Sequence, residues 1–215
     1  FSYNIYQLIA EVNQLEPEIV KNDEVSWDEL CNFEFDNIII SPGPGHPDLE
    51  KNFSICKQIL MDCPTPILGI CLGHQGICSI YGGNIIHAPS PIHGQIHQIS
   101  HNGSDLFQDI PKTFEVVRYH SLIAEKNLPN SLEATAWSSD GLVMGVRHKT
   151  KPVWGVQFHP ESICSSYGFQ LFKNFKSITE KFYQEQPTYQ RTRRSNLPKS
   201  ILSNLNHEMT RPRLE

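Results

Sequence analysis

The sequence predicts an α/β fold: an open, mostly parallel sheet flanked by helices, with additional antiparallel strands in its second half. Three observations carry that expectation. Short β-branched runs alternate with helix-period segments through the first half, at residues 37–41, 48–61, 66–70 and 72–81. Glycine and proline punctuate these segments, as in "SPGPGHP" after the first run and Gly82-Gly83 after the last. Beyond Asn84 short strand candidates follow one another with turns between them, and no helical pattern returns until about Tyr167.

Taken in order, the chain opens in a helical pattern that puts Ile5, Leu8, Ile9 and Val12 on one face. A short strand is expected at "EIVKND" (18–23) and a helix around residues 27–33. "NIIIS" (37–41) reads as a buried strand. In the next helix Leu49, Phe53, Cys56 and Leu60 share a face. "PILGI" is a second buried strand, and the helix at 72–81 follows it. "NIIHAP", "GQIHQIS", "FEVVRYH", "LEATAW", "LVMGVRH" and "VWGVQF" are the strands of the second half. A last helix over 167–183 offers Phe169, Phe172, Phe175, Ile178 and Phe182 for its apolar face. Residues 1–183 are therefore expected to form one domain. Residues 184–215 form a polar, basic linker or tail with a short helix at 200–207. Because the chain begins in a helix, the first strand of the sheet is expected to lie outside this sequence, along with any targeting segment. A piece lacking that strand is expected to fold poorly alone.

Composition narrows the function classes. Hydrophobic residues make up 39% of the 215, enough for a sizeable core. The net charge of −5 supplies no basic field for nucleic acid. The tail differs in sign, with Arg191, Arg193, Arg194, Lys199, Arg211 and Arg213 against Glu208 and Glu215. Cys31, Cys56, Cys63, Cys71, Cys78 and Cys164 contain no Cys-x-x-Cys pair, which argues against a zinc ribbon or thioredoxin-type site. Free thiols in a reducing intracellular compartment, cytoplasm or plastid, are expected, and secretion is not. No apolar run approaches the length of a membrane span.

One cysteine stands apart. In "GICLGHQG" Cys71 falls between a buried strand and a helix start, on the kind of turn that exposes a nucleophile at the carboxyl end of a parallel strand. Gly69 and Gly73 let the helix approach the strand. The helix N-terminus favours the thiolate and offers the Leu72 N–H to an oxyanion. A base is available in "VQFHPES", where His159 and Glu161, two apart in extended chain, project to one side. Pro160 holds His159 extended, and Glu161 orients its ring. "SPGPGHP" supplies a stiff loop with positive φ expected at Gly43 and Gly45, able to aim backbone N–H groups.

Glycine loop, Gly-x-Cys-x-Gly-x-Gln and His-Pro-Glu, in that order, closely resemble the class I glutamine amidotransferases over residues 1–182. The resemblance implies a flavodoxin-like open sheet and hydrolysis of glutamine to glutamate and ammonia through a thioester. Cys71 would be the nucleophile, His159 the general base and then acid, and Glu161 its orienting partner. Gly43, Pro44, Gly45 and Leu72 would surround the oxyanion, and Gln75 would contact the substrate. "RYHSL" (118–122) and His93-Gly94 look like the chorismate-using branch, in which the backbone at Ser121 and Leu122 holds the α-amino and carboxylate end of glutamine. Within that branch, "HAPSPIHGQ" with Gln95, and the basic tail, look most like the glutaminase part of fused aminodeoxychorismate synthases. The anthranilate synthase glutaminase component is the alternative. What the resemblance implies for partners is a chorismate-binding synthase domain, fused or separate, that receives ammonia. No metal or other cofactor is expected in this domain, and Mg2+ only in the synthase partner. A stand-alone γ-glutamyl hydrolase and a non-catalytic domain are the remaining readings. Gln75 and "RYHSL" argue against the first, and the intact Cys71, His159 and Glu161 set against the second.

Overall fold

The computed structural model describes residues 2–186. The expected helix at 200–207 and most of the tail lie outside the described residues. Helices α1 (Ser2–Asn13), α2 (Trp27–Leu30), α3 (Glu50–Asp62), α4 (Leu72–Ile80) and α5 (Gly168–Glu185) surround one sheet. Its strands are β1 (Ile38–Ile40), β2 (Ile67–Ile70), β3 (Ile85–His101), β4 (Thr113–Ala124), β5 (Leu132–Ser138), β6 (Val143–His148) and β7 (Val153–Val156). The spatial order is β1-β2-β7-β6-β5-β3-β4. β1, β2 and β7 run parallel, and every other pairing is antiparallel. The sheet is thus open and mixed, and the antiparallel share is larger than the sequence reading gives.

Two apolar layers sandwich it. α1 and α5 close one face through Ile5, Leu171, Phe172 and Phe175, packed on Leu68, Ile70, Val156 and Phe158. α2, α3 and α4 close the other through Leu30, Phe53, Leu60 and Ile77, packed on Ile40, Ile67 and Val153. All four β2 residues are buried, as a strand covered on both faces requires. In α5 the buried stripe runs through Gly168, Leu171, Phe172, Phe175 and Thr179. Phe169, expected on that face, sits one helical step (about 100°) off it and is exposed.

Three further expectations change. "NIIHAP" and "GQIHQIS" are one long strand, β3, irregular between His87 and Ile92 and again between His93 and Gln95. Gly94 sits in the second irregularity with φ +66, so glycine lets the strand bulge there. The helix expected at 27–33 is the single turn α2, held by a capping box in which Ser26 Oγ accepts the Glu29 N–H and Glu29 accepts the Ser26 N–H. "EIVKND" is not a strand. β1 is an edge strand, and a groove of about 630 Å³ separates its free side from residues 15–23. A backbone ladder needs a neighbour, and among the described residues "EIVKND" pairs with no strand. Ile5, Val20, Ile38 and Phe53 line the groove, and its far end reaches Gly43, Pro44 and Leu72.

Candidate active site

The parallel strands β2 and β7 lie side by side, with Ile70 opposite Val156. The residues that follow them therefore emerge together at the carboxyl edge. Cys71 donates its backbone N–H to Val156 O at 2.9 Å, and α4 starts at the next residue. Cys71 has φ +52 and ψ −99, a conformation that non-glycine residues adopt at a cost of about 1–3 kcal/mol. The packing beneath it explains how that is enforced. A Cβ at Gly69 would lie 2.5 Å from the Gly73 carbonyl carbon, and one at Gly73 would lie 2.5 Å from Ile40 O. Helix and strand touch backbone to backbone, and the chain between them has to turn sharply.

The Cys71 side chain is buried, which pushes the thiol up to about 12; the charge of Glu161 adds to the rise, and the Leu72 N–H opposes it. Burial thus works against the helix terminus, which the sequence reading expects to favour the thiolate. Cys78, equally buried, also stands at about 12. What distinguishes Cys71 is its turn and its neighbours. Its Sγ lies 3.9 Å from Tyr119 O and 3.8 Å from Gln157 Nε2.

His159 follows on the same edge. Its backbone N–H donates to Val117 O at 3.0 Å, which docks the segment after β7 against β4. His159 Nδ1 and Glu161 Oε1 are 2.7 Å apart, and both side chains are buried. A carboxylate oxygen accepts, so Nδ1 is the ring nitrogen that donates in this contact. The Tyr119 ring stands edge-on to the His159 ring at 5.3 Å and to the His93 ring at 5.4 Å. "RYHSL", His93-Gly94 and His-Pro-Glu thus converge on Tyr119, a residue that the sequence reading did not single out for itself.

The glycine loop reaches the same place from β1. A Cβ at Gly43 would lie 3.0 Å from Leu72 Cδ2, so the loop abuts the start of α4. Only Gly45 has the expected positive φ (+92). Gly43, Pro44 and Gly45 are exposed, as is Ser121, while Leu122 is half-buried. Gln75 is buried, and its Nε2 donates to Leu122 O at 3.0 Å and to Gln157 Oε1 at 3.2 Å. In this structure its amide is thus engaged by the protein.

Behind Tyr119 lies a buried polar layer. Arg118 Nε donates to His120 Nε2 at 3.0 Å. Burial, with the Arg118 charge next, lowers His120 to about 3, and burial lowers His74 to about 4. Both rings are therefore neutral at physiological pH. Among the described residues no group of three or more His, Cys, Asp or Glu side chains is arranged to hold a metal, and no helix is long and apolar enough to cross a membrane.

A cysteine on a strained strand-to-helix turn, a buried His–carboxylate pair and a glycine loop thus share the carboxyl edge of one open sheet. Residues 1–178 match the family Glutamine amidotransferase class-I, and the chain belongs to it. It is 46% identical over 181 residues to an aminodeoxychorismate synthase of Streptomyces griseus, covering 84% of this chain and 25% of that protein. It is 40% identical over 181 residues to anthranilate synthase component 2 of Methanothermobacter marburgensis, covering 81% and 92% respectively. A crystal structure of a putative GMP synthase subunit from Thermoplasma acidophilum superposes with a TM-score of 0.77 at 28% identity, covering 87% of this chain and 92% of that one. The chain spans about a quarter of the length of the aminodeoxychorismate synthase that it matches.

Proposed function

We propose that this glutamine amidotransferase domain is the glutaminase part of an aminodeoxychorismate synthase. It hydrolyses glutamine and passes ammonia to a chorismate-aminating synthase domain, which forms 4-amino-4-deoxychorismate for para-aminobenzoate and folate. The observation that carries the glutaminase reading is the buried His159–Glu161 pair, set on the same sheet edge as Cys71. The Cys71 sulfur attacks the side-chain amide carbon of glutamine while His159 Nε2 takes the thiol proton. The Leu72 N–H, with the loop at Gly43, Pro44 and Gly45, receives the charge that develops on the amide oxygen. His159 returns the proton to the departing nitrogen, and ammonia leaves a thioester on Cys71. A water molecule, deprotonated by His159, hydrolyses that thioester to glutamate and the free thiol. Ser121 and Leu122, at the end of "RYHSL", hold the α-amino and carboxylate end of the substrate. This reading puts no cofactor in the domain and Mg2+ only in the synthase partner. Six free cysteines support a reducing compartment, cytoplasm or plastid.

The second reading is the anthranilate synthase glutaminase component, favoured by the relative in which a chain of nearly this length is the whole protein. The test for the chemistry is an electrophilic glutamine analogue. One covalent adduct is expected on Cys71, lost in Cys71→Ala; labelling that survives Cys71→Ala rejects the assignment. Incubating the intact protein with chorismate and glutamine then separates the two readings, since one product is aminodeoxychorismate and the other anthranilate.

A further inference from the structure

Gln157 lies in the stretch that carries the base, yet the reaction written above leaves it without a task. Its side chain is fully buried. It follows β7 as Cys71 follows β2, so the pairing of Ile70 with Val156 makes it a direct neighbour of the nucleophile. Each end of its amide meets one partner: Oε1 faces Gln75 Nε2 at 3.2 Å, and Nε2 faces Cys71 Sγ at 3.8 Å.

The orientation of this amide follows from the network. Leu122 O is a backbone carbonyl and can only accept, so the Gln75 group 3.0 Å from it is its NH2. That same NH2 faces Gln157, whose nearer atom is then the carbonyl oxygen. The other end of Gln157, the one turned to sulfur, is consequently a donor. On its other side the sulfur meets Tyr119 O, an acceptor. A thiol satisfies both neighbours by pointing its proton at Tyr119. A thiolate gains nothing from Tyr119 O; beside the His159 ring that takes its proton, the Gln157 amide and the Leu72 N–H are donors that can hold it, in surroundings whose burial disfavours the charge.

We propose that Gln157 is a catalytic residue whose side-chain N–H holds the Cys71 sulfur as it becomes a thiolate, and that Gln75 is a positioning residue that locks this amide donor-first. The chain Leu122–Gln75–Gln157–Cys71 then ties the strand expected to clamp glutamine to the nucleophile. The proposal rests on reading Cys71 as the nucleophile. It differs from the substrate-contacting role that the resemblance implies for Gln75.

The test is the pH dependence of Cys71 alkylation by iodoacetamide in the full-length protein, with steady-state glutamine hydrolysis alongside. Gln157→Met keeps the length and removes the donor, and Gln157→Glu keeps the shape and replaces the donor by an acceptor. Both are expected to move the alkylation profile to higher pH, Glu further than Met. Both should lower kcat about tenfold or more, the order of a lost hydrogen bond to a charged group, with KM within about twofold. Gln75→Met should shift the profile in the same direction by less. Unchanged alkylation profiles in both Gln157 variants, alongside wild-type-like melting, overturn the proposal; so does a rise in KM with kcat intact. If either Gln157 variant folds poorly, the Gln75→Met profile decides: no shift there overturns the lock. Absence of glutamine hydrolysis in the wild-type protein would reject the glutaminase reading separately, because alkylation needs no substrate.

Discussion

His159 and Glu161, two residues apart around Pro160, are joined by a 2.7 Å contact between Nδ1 and Oε1, with both side chains closed off from solvent. A lone buried carboxylate is costly, and its second oxygen, Oε2, has no hydrogen-bond partner among the described residues. The pair is therefore held by the fold around it.

Glu161→Gln keeps the shape and removes the charge. The amide can present its NH2 to Nδ1, which puts the lone pair on the wrong ring nitrogen. Glutamine-dependent kcat should fall by about two orders of magnitude or more, with little change in KM. Steady-state glutaminase kinetics of the intact protein check this, and a rate within about threefold of wild type, well short of that loss, contradicts the role.

Cys71→Ala should separate the two halves of the proposed reaction. Amination with glutamine should disappear, while amination with added ammonium salt should continue at the wild-type rate. Loss of both activities would contradict a division between a glutaminase site and a distant synthase site.

Acid stability has a computable sign. His74 and His120 bind protons far less readily in the folded chain, at about 4 and about 3, than an unfolded histidine at about 6.5. Between those values the unfolded state holds the extra protons, so stability is full above about pH 6.5 and falls as the pH drops toward 4. Two such groups give a slope of up to about 2.7 kcal/mol per pH unit. Urea titrations at pH 7.0, 6.0 and 5.0 should show the loss (those pH values being roughly a unit apart across the window). His120→Asn should reduce the slope, and an unaltered slope would reject the assignment.

The groove beside β1 leads to a prediction about this 215-residue chain expressed alone. Among the described residues β1 has no strand on its outer edge, and the groove of about 630 Å³ beside it is lined by the half-buried Val20, Ile38 and Ile39, an edge that invites pairing with other chains. Calorimetry should give a broad, weakly cooperative transition, with aggregation on heating. A single sharp transition would contradict it.

Much of the candidate site's placement was legible because its parts lie at strand ends, and strand ends are marked in sequence by a change of period. "PILGI" before Cys71 and "VWGVQF" before His159 are such marks, and both strands formed where expected. "EIVKND" failed for the complementary reason: local preference makes a strand only where another strand lies alongside, and among the described residues none pairs with it. Phe169 failed because one helical step decides between core and solvent. Gln157 was within reach, since positions 157, 159 and 161 share a side in extended chain, but glutamine announces no chemistry until its partner is known. Tyr119 could be found only through the pairing of β3 with β4, which brings His93 opposite it.

The Cys71 turn also bears on stability. At φ +52 the backbone there favours glycine, so the residue best suited to the fold is not the one present. A search for stabilising substitutions that knew nothing of the reaction would be drawn to this position and would replace the sulfur. On the proposed reading, thermal robustness and chemistry make opposite demands on this one side chain.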